Sequence, residues 1–397
     1  FLSVIYLNQL GMICSLGNRL ENIGRRVLDA AQSGVTVIEN YLPGRSLPLG
    51  RVEAAVPLPS LDAFPLCDRS RNNQLALAAL SQIRPAVDNA IERFGADRFA
   101  VVIGTSTSGI AEGEIALSEF AKSGTLPEPF HYGQQELGSP AALLAKTLGV
   151  TGPAYVHASA CASSAKALAS AARLVLMGAC DAAISGGVDS LCTFTVAGFA
   201  ALESVSNTRC NPLSRNRNGI NIGEGAALFL LSREPATVRL RGWGESSDGH
   251  HMSAPDPAGA GARLAMERGL SRAGVAVGQV EYINLHGTAT LQNDAMEARV
   301  VHALFGDRVP VSSTKPFTGH ALGAAGAIEA GLCWLTMQDD NTTGKLPPHL
   351  WDGLADPALP ALNIVEPGAR LGHPLRCALS NSFAFGGANA TLVLGRE

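Results

Sequence analysis

The chain is predicted to be a layered α/β protein, and three observations point there. Short β-branched runs alternate with longer helical patterns, the order strand, polar loop, helix returns in the second half, and 46% of the 397 residues are hydrophobic against 16% charged. That much apolar sequence must be buried, part of it in a subunit interface, so a homo-oligomer is expected.

In chain order, "FLSVIYLNQLGMICSLG" reads as a buried first strand and its turn. It lacks the basic start and small-residue cleavage site of a secretory signal, and Asn8, Gln9 and two glycines interrupt it. Position 1 is Phe rather than Met, so the numbering is expected to begin inside a longer chain. "RFAVVIGTSTSG" follows as a strand and glycine-ended loop, "SPAALLAKTLG" as a helix, "AYVHASA" as a strand, residues 162–177 as an alanine-rich helix and "AAISGGVDS" as another buried strand. "CNPLSRNRNGINIGEGAALFLLS" closes the first half, residues 1–233, with a polar loop and an apolar strand. The second half, 234–397, opens with the strand "TVRLRGWGESS" and the helix "ARLAMERGLSRAGV". It continues through "QVEYINLHGTAT", "VPVSSTKPFTGH" and "RCALSNSFAFGGANATLVLG". "VHASACASSA" and "ALSNSFAFGGANA" are loosely alike, which hints at a duplication. "TTGKLPPHLWDGLADPALPALN", dense in turn residues, reads as a surface excursion.

Composition narrows the function. A net charge of −4 gives no general reason for nucleic-acid binding, and no run is long enough to span a bilayer. Eight cysteines stand without a CxxC pair or knuckle spacing, so neither a zinc site nor a disulfide framework is indicated, and the compartment reads as reducing cytoplasm. "GTSTSG" and "SGGVDS" lack both the Walker and the dinucleotide-binding spacings, so no nucleotide cradle is expected. His250 and His251 are adjacent and point to opposite faces of an extended segment, which argues for packing rather than a metal site.

Chemistry concentrates around Cys161. A thiol on the first turn of a helix meets unpaired N–H groups and a positive dipole end, which favour thiolate and make a nucleophile. One histidine after a strand is usually a packing element. Two of them, His286 in "NLHGTAT" and His320 in "SSTKPFTGHALGAAGAIEAG", each stand in a Gly/Thr setting at a strand's C-terminal end, where α/β active sites collect.

"SACASSA", "HGTAT", "SSTKPFTGHALGAAGA" and "NSFAFGGAN", in this order, resemble the signatures of the elongating β-ketoacyl-acyl-carrier-protein synthases of types I and II, in the thiolase-fold superfamily. The resemblance runs from "LGMICSLGN" to "GGANATLVLG" and implies a five-layer αβαβα fold of two duplicated halves, the first carrying the cysteine and the second the two histidines. It implies decarboxylative Claisen condensation, in fatty-acid or polyketide and polyene elongation. Cys161 would take an acyl group from a carrier thioester, and His286 and His320 would hold the malonyl thioester and steady the enolate oxygen. The backbone N–H groups of Cys161 and Phe385 would form the oxyanion hole, and Phe385 would gate the acyl pocket. Lys315 and Glu329 match a family pair, for which a buried structural ion pair is the other reading. Thr288 and Thr290 match the threonines that bind the phosphopantetheine arm, and Asp294 and Glu297 match an acidic pair. No cofactor is implied beyond that arm, and no metal. The partner would be an acidic acyl carrier protein docking on Arg69, Arg71, Arg209, Arg215 and Arg217, with a solvated surface run as the alternative. A homodimer is implied, or a heterodimer with a related subunit.

The sequence departs from the family at Ala384, where a glycine is usual and a stiffer turn is expected, and at Asn218, where Asp is common. "KLPPHLWDGLADPALP" is closer to synthases of specialised lipid or polyene pathways. A coenzyme A-dependent priming synthase or thiolase usually has Asn or Cys for one of the two histidines. A chain-length partner subunit would lack the nucleophile, and papain-like protease motifs are absent.

Overall fold

The computed structural model describes residues 4–397, so the first three residues of the predicted opening strand lie outside the described residues. Its strands are β1 Ile5–Cys14, β2 Thr36–Leu42, β3 Arg45–Leu49, β4 Phe99–Gly104, β5 Ala154–His157, β6 Ala182–Asp189 and β7 Gly225–Ser232, then β8 Val238–Ser247, β9 Tyr282–Asn284, β10 Pro310–Ser312, β11 Asn363–Ile364, β12 Cys377–Phe383 and β13 Ala388–Arg396. β2 and β3 form a separate hairpin, and the others join in the order β11-β10-β9-β12-β13-β8-β1-β7-β6-β4-β5.

That order is a duplication. From the central junction of β1 and β8, the first half runs β1-β7-β6-β4-β5 and the second β8-β13-β12-β9-β10, each with two antiparallel and then two parallel pairings. β5 therefore corresponds to β10, and β6 to β12. The loose likeness between "VHASACASSA" and "ALSNSFAFGGANA" paired the wrong strands, because every strand end here is a short apolar run entering small residues. In the duplicated order the Cys161 loop corresponds to the loop carrying Lys315 and His320.

Helices fill the layers. The helix Arg71–Phe94 covers the first half of the sheet, starting where the Ser70 side chain accepts the Asn73 N–H and ending at Gly95. Ala260–Ala273 covers the second half, on β8 and β13. Between the two halves of the sheet lie Ser163–Leu176 and Ala325–Thr336, packed on each other and enclosed by the central core. Alanine and glycine allow this close approach: a Cβ on Gly104 would lie 2.3 Å from the Ser164 nitrogen. Fully buried Leu168 and Val175 anchor the first of these helices, each contributing about 1.5–3 kcal/mol.

The predicted surface excursion after residue 341 is a surface feature only in part. Leu346 and His349 are 3% and 2% exposed. His349 Nδ1 accepts the Ser313 N–H at 3.0 Å and its Nε2 lies 2.8 Å from the Pro212 carbonyl, so the Pro-Pro-His stretch wedges between two site loops.

Candidate active site

The C-terminal ends of β5, β9, β10 and β12 converge, and their loops carry the four sequence motifs. Cys161 follows β5, and the residue before it, Ala160, adopts φ 46°, a left-handed conformation that costs a non-glycine residue about 1–2 kcal/mol. Ser163 pins this turn: its Oγ accepts the Ser159 N–H at 2.8 Å and donates to the Ala160 carbonyl at 2.6 Å. The helix itself begins at Ser163, with Ala162 as its cap, so Cys161 precedes the first turn rather than lying on it.

The sulfur lies 3.1 Å from His320 Nε2 and receives the backbone N–H of Phe385. Burial pushes the Cys161 thiol up to about 12, outweighing the pull of the Lys315 charge and of that N–H. The expected resting thiolate is thus corrected: the thiol of Cys161, a residue 4% exposed, stays protonated at neutral pH.

His286 stands edge-on to His320, with ring centroids 5.3 Å apart. Its loop is clamped from below by Glu297, whose two oxygens accept the His286 and Gly287 N–H groups at 2.8 Å each. Burial raises the Glu297 carboxyl to about 7. Asp294 accepts the N–H groups of Leu213 at 2.8 Å and Ala289 at 3.2 Å. It is a buried loop clamp in the first turn of the helix Leu291–Phe305.

Lys315, 1% exposed, is bonded to Glu329 and also lies 3.4 Å from His286 Nδ1. An ammonium donating to Nδ1 leaves the proton of neutral His286 on Nε2, the atom facing the cavity. Burial and the Lys315 charge hold His286 and His320 well below the usual imidazole range, so both are neutral hydrogen-bond donors or acceptors rather than cations. Cys161, His286 and His320 offer donor atoms within 4.8 Å of one another. The adjacent ammonium repels a second cation, however, and the His286 tautomer it imposes turns an N–H to the cavity, so this trio is a poor metal cradle.

A narrow cavity of about 40 Å³ is lined by these three residues, Thr288, Thr290 and Phe385. The two threonine hydroxyls bond each other at 2.9 Å on its wall, and the space opens to a mouth formed in part by Asn218 and His251. Phe385 leans on Phe199, centroids 5.4 Å apart. Ala384 has φ −93°, open to any residue, so the turn's left-handed positions fall on Gly386 and Gly387 and alanine adds no strain.

The arginines divide. Arg217 is 7% exposed and bonded to Asp356 at 2.5 Å, and Arg71 grips the buried Glu224 carboxylate with two nitrogens. Both are structural, which corrects their place in the docking set and leaves Arg69, Arg209 and Arg215 on the surface. Sequence reasoning missed Asp189 and His349 as site supports. The only signals were an acidic residue ending an apolar strand and a histidine after two prolines.

Comparison with known proteins agrees across the chain. The family descriptions "Beta-ketoacyl synthase, N-terminal domain" and "Beta-ketoacyl synthase, C-terminal domain" match residues 73–236 and 237–350. The chain is 30% identical over 417 aligned positions to 3-oxoacyl-[acyl-carrier-protein] synthase 2 of Coxiella burnetii, covering 99% of this chain and 98% of that one. A match at 37% identity to the synthase of the same name from Rhizobium meliloti spans 264 residues, 62% of this chain and 61% of the relative. Among solved structures, a ketosynthase in complex with its chain length factor from Xenorhabdus doucetiae superposes with a TM-score of 0.93 at 44% identity, covering 100% of this chain and 98% of that one. Matches in both halves and a relative aligned end to end lead to one conclusion: the chain belongs to the β-ketoacyl synthase family, condensing enzymes of the thiolase-like fold.

Proposed function

We propose that the chain elongates acyl groups by decarboxylative condensation of acyl-carrier and malonyl-carrier thioesters, with Cys161 holding the acyl group. The contact of Cys161 Sγ with His320 Nε2 at 3.1 Å, beside a His286 whose tautomer Lys315 sets, carries this reading. In acylation a bond forms between Sγ and the acyl carbon, the carrier's C–S bond breaks, and the thiol proton ends on the departing carrier sulfur. The backbone N–H groups of Cys161 and Phe385 hold the oxyanion. Malonyl-carrier then loses CO2, and the electron pair left behind is delocalised onto a thioester oxygen facing His286 and His320. The carbanion attacks the acyl carbon, the S–C bond to Cys161 breaks, and the freed sulfur takes up a proton. A thiol whose resting affinity for a proton is high returns readily to that state.

Thr288 and Thr290 line the route the phosphopantetheine arm takes from the mouth to Cys161, and no other cofactor is invoked. Phe385 gates the acyl side, and Arg69, Arg209 and Arg215 receive the acidic carrier. Halves 1–233 and 234–397 divide the work, a boundary supported by the gap between β7 and β8. The compartment is reducing, a reading supported by eight free cysteines, and no described helix is long and apolar enough to cross a membrane.

The partner surface is the edge strand β5 with the exposed Ile115, Leu117 and Phe120 of the helix Ile110–Ser123. A second copy is the proposed occupant, a reading supported by the unpaired edge of β5. A related subunit is the second reading, favoured by the neighbour at 44% identity having been solved with its chain length factor.

The test is intact-protein mass spectrometry after incubation with a panel of acyl-carrier thioesters. Addition of one acyl mass, mapped to Cys161, supports the proposal. Acylation elsewhere, or by no member of the panel, contradicts it.

A further inference from the structure

We infer that Asp189 is a positioning residue for the decarboxylation step, fixing the turn that carries His320 to the loop after β4. The inference rests on the role proposed for His320 above.

Asp189 ends β6, fully buried, in the "SGGVDS" tract. Its Oδ1 accepts Thr105 Oγ1 at 2.6 Å, the N–H groups of Ser106 at 2.8 Å and Thr107 at 3.0 Å, and Thr107 Oγ1 at 3.0 Å. Its Oδ2 accepts Ser106 Oγ and, at 2.6 Å, the Gly323 N–H. One carboxylate thus gathers six donors, five from the "GTSTSG" loop and one from the segment after His320. No cation pairs with it among the described residues, so its charge is balanced by fixed dipoles. Burial raises its carboxyl, and these hydrogen bonds pull it back down.

The geometry shows why the last donor matters. On its N-terminal side His320 is tied to the segment after Val205: its N–H donates to the Asn221 carbonyl at 2.6 Å, and its carbonyl accepts the Gly223 N–H at 2.8 Å. On its C-terminal side the Ala321 carbonyl accepts only the local Ala324 N–H, at 2.9 Å, and the next tie to a distant segment is at Gly323. Between them Leu322 sits at φ 46°, a conformation that must be held from outside. Asp189 Oδ2 supplies that hold. Release of Gly323 lets Leu322 relax and swings the imidazole away from its place 3.1 Å from the sulfur.

Asp189→Asn separates the two functions of the carboxylate. The amide oxygen retains the four-donor position, but the NH2 group then faces the Gly323 N–H, donor against donor, so the His320 turn is freed while the loop after β4 stays in place. Gly323→Ala attacks the same contact from the other side, because the added Cβ would lie 2.7 Å from Asp189 Oδ2 and 2.7 Å from the Ser106 nitrogen. Both variants are compared with the wild type in two assays, Cys161 acylation by intact mass and CO2 release from malonyl-carrier, with a thermal melt to establish folding. The expected result is CO2 release lowered by about tenfold or more with acylation within about threefold of wild type. Equal loss of both rates, or no change in either, overturns the inference, and Gly323→Ala decides it if Asp189→Asn does not fold. A wild type that neither acylates nor decarboxylates overturns the proposed function instead.

Discussion

Replacing Lys315 by Met tests whether that residue is half of an ion pair, a tuner of His286, or both. Removing one partner of a buried pair leaves the other uncompensated and costs about 3–5 kcal/mol. Glu329 is 2% exposed, and its Oε2 has no hydrogen-bond partner to share the burden. Burial already raises its carboxyl to about 7 with the ammonium present, and loss of Lys315 raises it further. A carboxylate raised in the folded state destabilises progressively as pH climbs from its unfolded value of about 4.3 to its folded value, by about 1.4 kcal/mol per unit. Lys315→Met is therefore more stable at pH 6 than at pH 8. Adding Glu329→Leu removes the stranded charge and restores most of the stability. Activity behaves differently. The 3.4 Å contact from Lys315 to His286 Nδ1 is lost in both variants, and a hydrogen bond to a charged group is worth about 1.5–3 kcal/mol, so CO2 release falls by about 10- to 150-fold in each. The assays are urea denaturation at two pH values and malonyl-carrier decarboxylation. A double variant that regains turnover along with stability refutes the tautomer argument and leaves Lys315 a structural ion only.

Further outcomes follow from the same geometry. Alkylation of Cys161 by iodoacetamide, followed by peptide mass, is expected to accelerate with pH through pH 9 without levelling, because the buried thiol sits near 12. A plateau below pH 8 contradicts that burial. His320→Ala spares single-turnover acylation and slows condensation by about 10²–10³-fold, the loss typical of one donor to a developing oxyanion, and unaltered turnover removes His320 from the mechanism. Ala384→Gly changes stability by less than about 1 kcal/mol, since φ −93° suits both residues, and a larger change in the thermal melt would mean the turn is strained.

Much of this site was legible because its chemistry is local in sequence. Cys161, His286, Lys315, His320 and Phe385 each sit in a short motif directly after a strand, and the strand ends bring them together. What escaped was what depends on distance along the chain. Asp189 meets Thr105 and Gly323, and His349 meets Pro212. No periodicity announces a carboxylate such as Asp189, whose backbone amide partners lie 82, 83 and 134 residues away. The thiol was misjudged for the same reason: a helix start argues for thiolate, but the desolvation that overrides it comes from the surrounding core. Arg71 and Arg217 looked like surface charge because neighbouring arginines do lie on the surface, while their carboxylate partners, Glu224 and Asp356, are far along the chain.

The central claim is a division of labour, in which the sulfur of Cys161 holds the growing chain while the imidazoles of His286 and His320 release CO2 from the extender. Cys161→Gln tests it most directly, since the variant keeps a polar side chain of similar reach without a nucleophile. Measured with malonyl-carrier, it is predicted to evolve CO2 at a rate at least equal to wild type while forming no elongated product. Loss of CO2 release together with elongation would contradict the account.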